Sequence, residues 1–434
     1  MMENPMDFVK RPIAVVGLGL SGNAALRLLH ANGVRPKDIC TFDEKAPADY
    51  SDPQKMLAER EPRTLVVSPG YPLSKPWIKD FKEHGGIVTS ELALALHYIT
   101  EERIIGVTGA VGKSTVVSLL EAGLKKFSPD SFVGGNIGRP LADYAADLTA
   151  RKRPPAPWVV LELSSYQLEN CGNLHCEFAA LTYLTPNHME RYAGLSEYYD
   201  IKWELVRRTQ KAVVLNLQGG ELAKYARGKK ESAQLLWTDQ NDEELTYLEL
   251  ERAQLLGSHN QDNLAVAAKL AREAGWPISA FEGMKEFSGL PHRMENLGLR
   301  AQIRFVNDSK ATTMESVKTA AMGIYEQMDK KQQLILLLGG KDKDLPWQEL
   351  VALKKIQKLR PVFFGAVGRH AQELSALEGP VYPNLAAAVK HVKEIARAGD
   401  TVLLSPGGTS LDEFKNFEER GLAFADLVKR LFII

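Results

Sequence analysis

The sequence predicts an α/β protein of three domains, each built on a mainly parallel, doubly wound sheet. Three observations carry that expectation. Short, near-continuous apolar runs recur along the whole chain, as strands buried on both faces require. Helical stretches long enough for crossover connections separate them. The runs end in glycine or small polar residues, at the edge where open α/β sheets bind ligands. With 434 residues, about three domains of ordinary size are expected, divided here at residues 1–98, 99–294 and 295–434.

The first run, Ile13-Ala-Val-Val-Gly-Leu-Gly-Leu-Ser-Gly22, is a strand entering a Gly-x-Gly-x-x-Gly turn, and a helix follows through Ala24, Ala25, Leu26, Leu28 and Leu29. Asp43 ends the next strand-like run, about 20 residues on, where a carboxylate accepts from a ribose hydroxyl. Strand, helix and acid together fit a nucleotide or dinucleotide site. Thr64-Leu-Val-Val-Ser68 and Gly86-Ile-Val-Thr-Ser90 complete a Rossmann-like sheet, and Ser68-Pro-Gly-Tyr-Pro72 is turn chemistry at a strand's carboxyl end.

The central domain is organised around Gly106-Val-Thr-Gly-Ala-Val-Gly-Lys-Ser-Thr115. An apolar run precedes it and a helical pattern through Val116, Val117, Leu119 and Leu120 follows, the layout of a P-loop ATPase-like phosphate cradle. Glycines turn backbone N–H groups inward, the helix N-terminus adds positive field, Lys113 reaches the outer phosphates, and Ser114 or Thr115 offers a hydroxyl to magnesium. The strict Gly-x-x-x-x-Gly-Lys-Ser/Thr spacing is missed, because Val107 stands at its first glycine. An ordinary strand–helix turn carrying a lysine is the alternative. Trp158-Val-Val-Leu-Glu-Leu-Ser164, Ala179-Ala-Leu-Thr-Tyr-Leu184 and Ala212-Val-Val-Leu-Asn216 are further strands. Glu162 lies within an otherwise apolar one, where a carboxylate is costly unless paired or on a metal; a strand-end glutamate in solvent is the alternative. Ile303-Arg-Phe-Val-Asn307, Gln333-Leu-Ile-Leu-Leu-Leu-Gly-Gly340, Pro361-Val-Phe-Phe-Gly365 and Thr401-Val-Leu-Leu-Ser-Pro406 make a third, Rossmann-like set.

Lys+Arg and Asp+Glu balance at 54 each, so no nucleic-acid or membrane-surface partner follows from charge. Cys40, Cys171 and Cys176 lack zinc spacing and leave one over from any disulfide framework, so reduced, structural cysteines are expected. The N-terminal segment has no signal-peptide core, and no run reaches the roughly 18 apolar residues of a membrane span. A cytoplasmic monomer is the expectation.

Together these motifs resemble the Mur ligases, ATP-dependent amide-forming enzymes of peptidoglycan precursor synthesis, over nearly the whole chain. The resemblance is carried by Gly106-x-x-Gly-x-x-Gly-Lys-Ser-Thr115, Gly134-Gly-Asn-Ile-Gly138, Glu162-Leu-Ser-Ser-Tyr-Gln-Leu168, Asn187-His188, Lys202, His259-Asn260, Leu290-Pro-His-Arg293 and Asn307-Asp-Ser-Lys-Ala-Thr312. The first glycine turn, the Glu-Leu-Ser-Ser run and Ser410-Leu-Asp-Glu-Phe-Lys-Asn-Phe417 are most similar to the D-glutamate-adding branch.

The resemblance implies that ATP activates the carboxylate of UDP-N-acetylmuramoyl-L-alanine as an acyl phosphate, which the amine of D-glutamate displaces. It implies that Gly109, Gly112, Lys113, Ser114 and Thr115 hold the ATP phosphates, while Asn260, Asn263, Arg293, Asp308 and Lys310 meet the nucleotide. Ser114 and Glu162 would hold one magnesium. His188 and Lys202 would help hold a second, Lys202 as a carbamate formed with CO2, since an ammonium cannot ligate a cation. Read alone, Lys202 between Tyr198-Tyr199 and Trp203-Glu204 is a solvated helix lysine. Lys113, His188, Lys202 and Lys310 are the implied catalytic set. The UDP-substrate falls to Leu18, Ser21, Gly22, Asp43, Gly70, Asn136 and His188. The amino acid falls to Lys310, Thr312, Lys343, Ser410, Leu411 and Phe417, with Lys341 an alternative to Lys343. A hinge near residues 291–297 would close the third domain on the second.

The chain departs from the family pattern at Ala110, Val111, Tyr183 and Asn187, which stand where threonine or serine, asparagine, asparagine and aspartate are usual. An active but retuned enzyme is expected. A related Mur or folylpolyglutamate-type ligase adding another amino acid, or a nucleotide-binding relative with little turnover, is the alternative. An NAD-dependent oxidoreductase would explain the first domain and leave Lys113, His188 and Arg293 idle.

Overall fold

A computed structural model describes residues 8–186, 189, 191–250, 255, 258–329, 331–342 and 345–432, the side chains of 244 and 258 excepted. It contains three mainly parallel α/β sheets. The first holds β1 (Ile13–Val16), β2 (Ile39–Phe42), β3 (Thr64–Val67) and β4 (Ile87–Ser90) in the order β2-β1-β3-β4. The second holds β5 (Arg103–Thr108), β6 (Phe132–Gly135), β7 (Trp158–Glu162), β8 (Cys176–Leu181), β9 (Thr209–Asn216) and β10 (Gln234–Thr238), ordered β10-β9-β8-β5-β7-β6. The third holds β11 (Glu295–Arg300), β12 (Ile303–Asn307), β13 (Leu334–Gly339), β14 (Leu359–Phe364), β15 (Val381–Tyr382) and β16 (Thr401–Gly407), ordered β11-β12-β16-β13-β14-β15, with the β11–β12 pair antiparallel.

The strands expected from apolar runs are all present, and every residue of β1, β3, β7, β13 and β16 is buried. Four strands escaped that reading: β6, β10, β11 and β15. Their physical reason is shared. Edge strands cover only part of their surface, so Gln234-Leu-Leu-Trp-Thr238 and Glu295-Asn-Leu-Gly-Leu-Arg300 carry half-exposed, mixed residues rather than the continuous apolar run of a central strand. The three cysteines are free and buried, and no helix among the described residues is long and apolar enough to cross a membrane.

The chain divides into two compact units, one comprising Met1–Leu250 and Asp262–Met284, the other Glu251–Gln261 and Lys285–Ile434. In the second, helices cover both faces of the third sheet, one core gathering Val306, Leu336 and Trp347 and the other Phe305, Leu337 and Phe424. In the first unit, the first two sheets share one core through Val15, Leu28, Leu94, Leu141 and Leu161. The helix Glu91–Leu96 is buried along its whole length, Ser90 capping it by accepting from the Ala93 N–H. Arg27 on the helix Leu20–Ala31 pairs with Asp143 at 2.6 Å, on the helix Leu141–Thr149.

Glu91 sits within this shared core, its Oε1 accepting from the Ala142 N–H at 2.6 Å. Burial pushes its carboxyl up to about 7, against the pull of that N–H. Between the ordinary value of 4.5 and about 7 the folded chain keeps a proton that the unfolded chain has released. Stability must therefore fall as pH rises through that window. Glu91→Gln keeps an acceptor and cannot ionise, so it should melt above wild type near pH 8, by at most roughly 3 kcal/mol. Melting curves that stay parallel to wild type across the window would show the carboxylate already ionised in the folded protein.

Candidate active site

A cavity of about 740 Å³ opens at the carboxyl edge of the first sheet and reaches the loops that follow β6 and β7. Strand β1 has β2 on one side and β3 on the other, so the chain leaves in opposite directions and the strand ends spread apart. Ser21, Asp43, Gly70 and Asn136 line it. Gly22 does not line it but makes it possible: a Cβ there would lie 1.9 Å from the Gly17 carbonyl oxygen, so helix and turn approach only through glycine. Ser68 Oγ donates to that same carbonyl at 2.6 Å. Asp43 accepts from the N–H groups of Ala46, Leu18 and Lys45 at 2.7–2.8 Å, which hold its carboxyl below the usual carboxylate range. Its first task is to pin the glycine turn. Leu18 serves through that backbone bond, whereas Leu20, 76% exposed, lines the cavity. An exposed leucine inside a glycine turn is the signal that sequence reading passed over.

In the second sheet, β5 lies between β7 and β8 and ends in the cradle, followed by the helix Lys113–Phe127. Lys113 Nζ donates to the carbonyls of Gly109 and Ala110 at 2.9 and 3.1 Å. Thr182 Oγ1 donates to the Val111 carbonyl at 2.5 Å, and Val111 itself projects, 55% exposed. Ser114 and Thr115 are buried in the first helical turn. A Cβ at Gly112 would meet Asn263 Oδ1 at 2.4 Å, so glycine lets that amide lie against the cradle. Asn260 is buried on the same helix, Ser258–Glu273.

Lys202 is 2% exposed, which overturns the solvated-helix reading. The helix Leu195–Arg207 turns Tyr198, Trp203, Leu205 and Val206 into the core, and Lys202 follows with that face. Its Nζ donates to the Gly109 carbonyl at 2.9 Å and lies 4.9 Å from the Tyr198 ring centroid. Burial above all, then the charge of Lys113, drives its pKa well below the ordinary lysine value, with Glu162 opposing. Burial thus weighs against the ammonium form. Glu162 is likewise buried: Oε1 accepts from Asn136 Nδ2 at 2.7 Å, and Oε2 has no hydrogen-bond partner. A capping box between Ser164 and Gln167 fixes the backbone just after it. Among the described residues no three His, Cys, Asp or Glu side chains converge. An orphaned buried carboxylate oxygen beside the cradle nevertheless fits one ligand of a divalent cation. His188 and Asn187 lie outside the described residues.

The second unit collects its candidates at the ends of β12 and β16. Asp308 accepts from Ser405 Oγ at 2.9 Å and from the Met294 N–H at 3.2 Å, while burial pushes its carboxyl up to about 7. Lys310 Nζ stands 5.1 Å from the Phe417 ring centroid. Thr312 is half-buried, Ser410 buried and Leu411 60% exposed. Arg293 follows a tight turn in which its N–H donates to the Leu290 carbonyl and His292 has φ of +62°. Lys341 is exposed and pairs by its backbone with Thr409. Lys343 lies outside the described residues.

Residues 107–271 match the Mur ligase middle domain and residues 292–408 the Mur ligase, glutamate ligase domain. The chain is 32% identical to the UDP-N-acetylmuramoylalanine–D-glutamate ligase of Myxococcus xanthus, over 96% of this chain and 98% of that one. It is 33% identical to the ligase of the same name from Oleidesulfovibrio alaskensis, over 94% and 91%. In fold it resembles a MurF ligase from Thermotoga maritima solved with ADP (TM-score 0.57, 12% identity, 98% of this chain and 97% of that one). The UDP-N-acetylmuramate–alanine ligase MurC of the same organism is similar (TM-score 0.53, 14% identity, 97% and 100%). With both family models matched and relatives above 30% identity covered almost end to end, the chain belongs to the Mur ligase family, the ATP-dependent, amide-bond-forming ligases of peptidoglycan synthesis.

Proposed function

We propose that this chain joins D-glutamate to UDP-N-acetylmuramoyl-L-alanine in the cytoplasm, through an acyl phosphate, and that its three sheets mark domains at residues 1–98, 99–294 and 295–434. The observation that carries this reading is the Asn136–Glu162 bond. Asn136 lines the nucleotide cavity, so a UDP-substrate seated there would extend its carboxylate toward the carboxylate beside the cradle. The names of the relatives supply the amino acid.

In this reading the cradle N–H groups and Lys113 orient the ATP phosphates, and Lys113 follows the charge as the γ-phosphoryl passes to the substrate carboxylate. The amine of D-glutamate then attacks the acyl carbon and phosphate leaves. Lys310, Thr312, Ser410, Leu411, Phe417 and Lys343 hold that amino acid. Magnesium, when bound, offsets phosphate charge; Ser114 and Glu162 would hold one ion, and Lys202 with His188 a second. Lys202 takes this role as a carbamate: the neutral amine bonds to the carbon of CO2 and loses a proton, which turns a cation into a carboxylate-like ligand.

The test is phosphate release from ATP by the full chain. Release is expected with UDP-N-acetylmuramoyl-L-alanine and D-glutamate together and at background with either alone. Equal release without the nucleotide substrate, or with a different amino acid in preference, would overturn the assignment.

A further inference from the structure

Among the described residues, Arg420 is the largest buried charged side chain of the second unit, at 0% exposure, on the helix Phe417–Leu431. Its guanidinium donates from Nε to Ser309 Oγ at 3.0 Å, from Nη2 to the Ser309 carbonyl at 2.8 Å and from Nη1 to the Gly408 carbonyl at 3.1 Å. Ser309 Oγ in turn donates to the Phe417 carbonyl at 2.8 Å. A Cβ at Gly340 would lie 2.9 Å from Nη1, so the guanidinium also packs against the end of β13. The nearby carboxylates are engaged elsewhere: Asp412 accepts from the Ala366 N–H and Glu413 from the Leu385 N–H. A fully desolvated cation held by carbonyl and hydroxyl oxygens is costly to bury, and a hydrophobic residue would stabilise such a core as well or better.

The loops it joins explain its presence. Ser309 lies between Asp308 and Lys310, Gly408 precedes Ser410 and Leu411, and Phe417 opens the helix that carries Arg420. The Gly408 loop is itself paired with the end of β13, through Gly408 N–H to the Gly339 carbonyl and the reciprocal bonds of Lys341 and Thr409. We infer that Arg420 is the positioning residue of the amino-acid pocket, a planar fork that holds the ends of β12, β13 and β16 and the start of the last helix in one arrangement suited to an acidic amino acid. Only a rigid guanidinium spans these acceptors; a lysine ammonium is a point donor on a flexible stem. Asp308 is anchored separately, by Ser405 and Met294, so the nucleotide contact does not depend on the fork. This inference rests on the proposed ligase reading.

Arg420→Met and Arg420→Lys, made in the full chain, should each raise KM for D-glutamate about tenfold or more and leave KM for ATP and for the UDP-substrate within about twofold. Ser309→Ala, which removes one arm, should shift the same constant in the same direction by less. The inference falls if the three KM values rise together with a lowered melting temperature, if KM for D-glutamate is unchanged, or if lysine restores it fully. Should wild type release no phosphate in response to D-glutamate, the ligase reading itself fails and this inference with it; wild-type turnover with unaltered variants condemns the inference alone.

Discussion

Replacing Lys113 by alanine should lower kcat about a thousandfold, the loss that follows removal of one preorganised charge donor from a transition state, while UDP-substrate affinity stays within about twofold. The turn should survive the change. Lys202 Nζ donates to the same Gly109 carbonyl, and Thr182 Oγ1 holds the Val111 carbonyl, so two anchors remain when the Lys113 bonds are lost. The cavity proposed for the UDP-substrate lies at the edge of the first sheet, and Lys113 does not line it. Titration calorimetry with the UDP-substrate, beside single-turnover kinetics with ATP, separates the two properties. Equal loss of both would mean that cradle and cavity serve one ligand.

The second large effect is expected at Lys202, where alanine should cost roughly a hundredfold or more in activity, as loss of a metal-site group does. Acetate or formate should restore part of it. An amine buried with its Nζ on the Gly109 carbonyl and Lys113 donating to that same oxygen is poorly placed to stay protonated, and a second cation there would repel magnesium. The proposed carbamate would resolve both difficulties by reversing the charge. Wild-type activity in the alanine variant, or equal activity of CO2-depleted and CO2-replete enzyme, would return Lys202 to a role in packing and in holding the cradle.

Much of this site is legible in the sequence. Gly106 to Thr115, the Gly-x-Gly-x-x-Gly turn and Asp43 are local patterns: a strand, a tight turn and a helix start are written in neighbouring residues, and glycine is needed where backbones touch. The central strands were legible for the same reason, since burial on both faces demands an unbroken apolar run. Edge strands β10 and β11 were not, because half their surface meets solvent and their composition looks like that of a loop.

Side-chain roles divided along the same line. The sequence by itself determined the family, the parallel sheets and the cradle lysine. Tertiary structure alone decided that Lys202 is buried and shares the Gly109 carbonyl with Lys113, that Glu162 spends one oxygen on Asn136 and keeps the other unpartnered, that Leu20 rather than Leu18 lines the cavity at the first sheet, and that Arg420 bonds the loops after β12 and β16. Each of these depends on residues far apart in the chain meeting where water is excluded. Desolvation, which lowers the pKa of Lys202 and sets the cost of burying Arg420, is a property of that packing and has no local signature in the sequence.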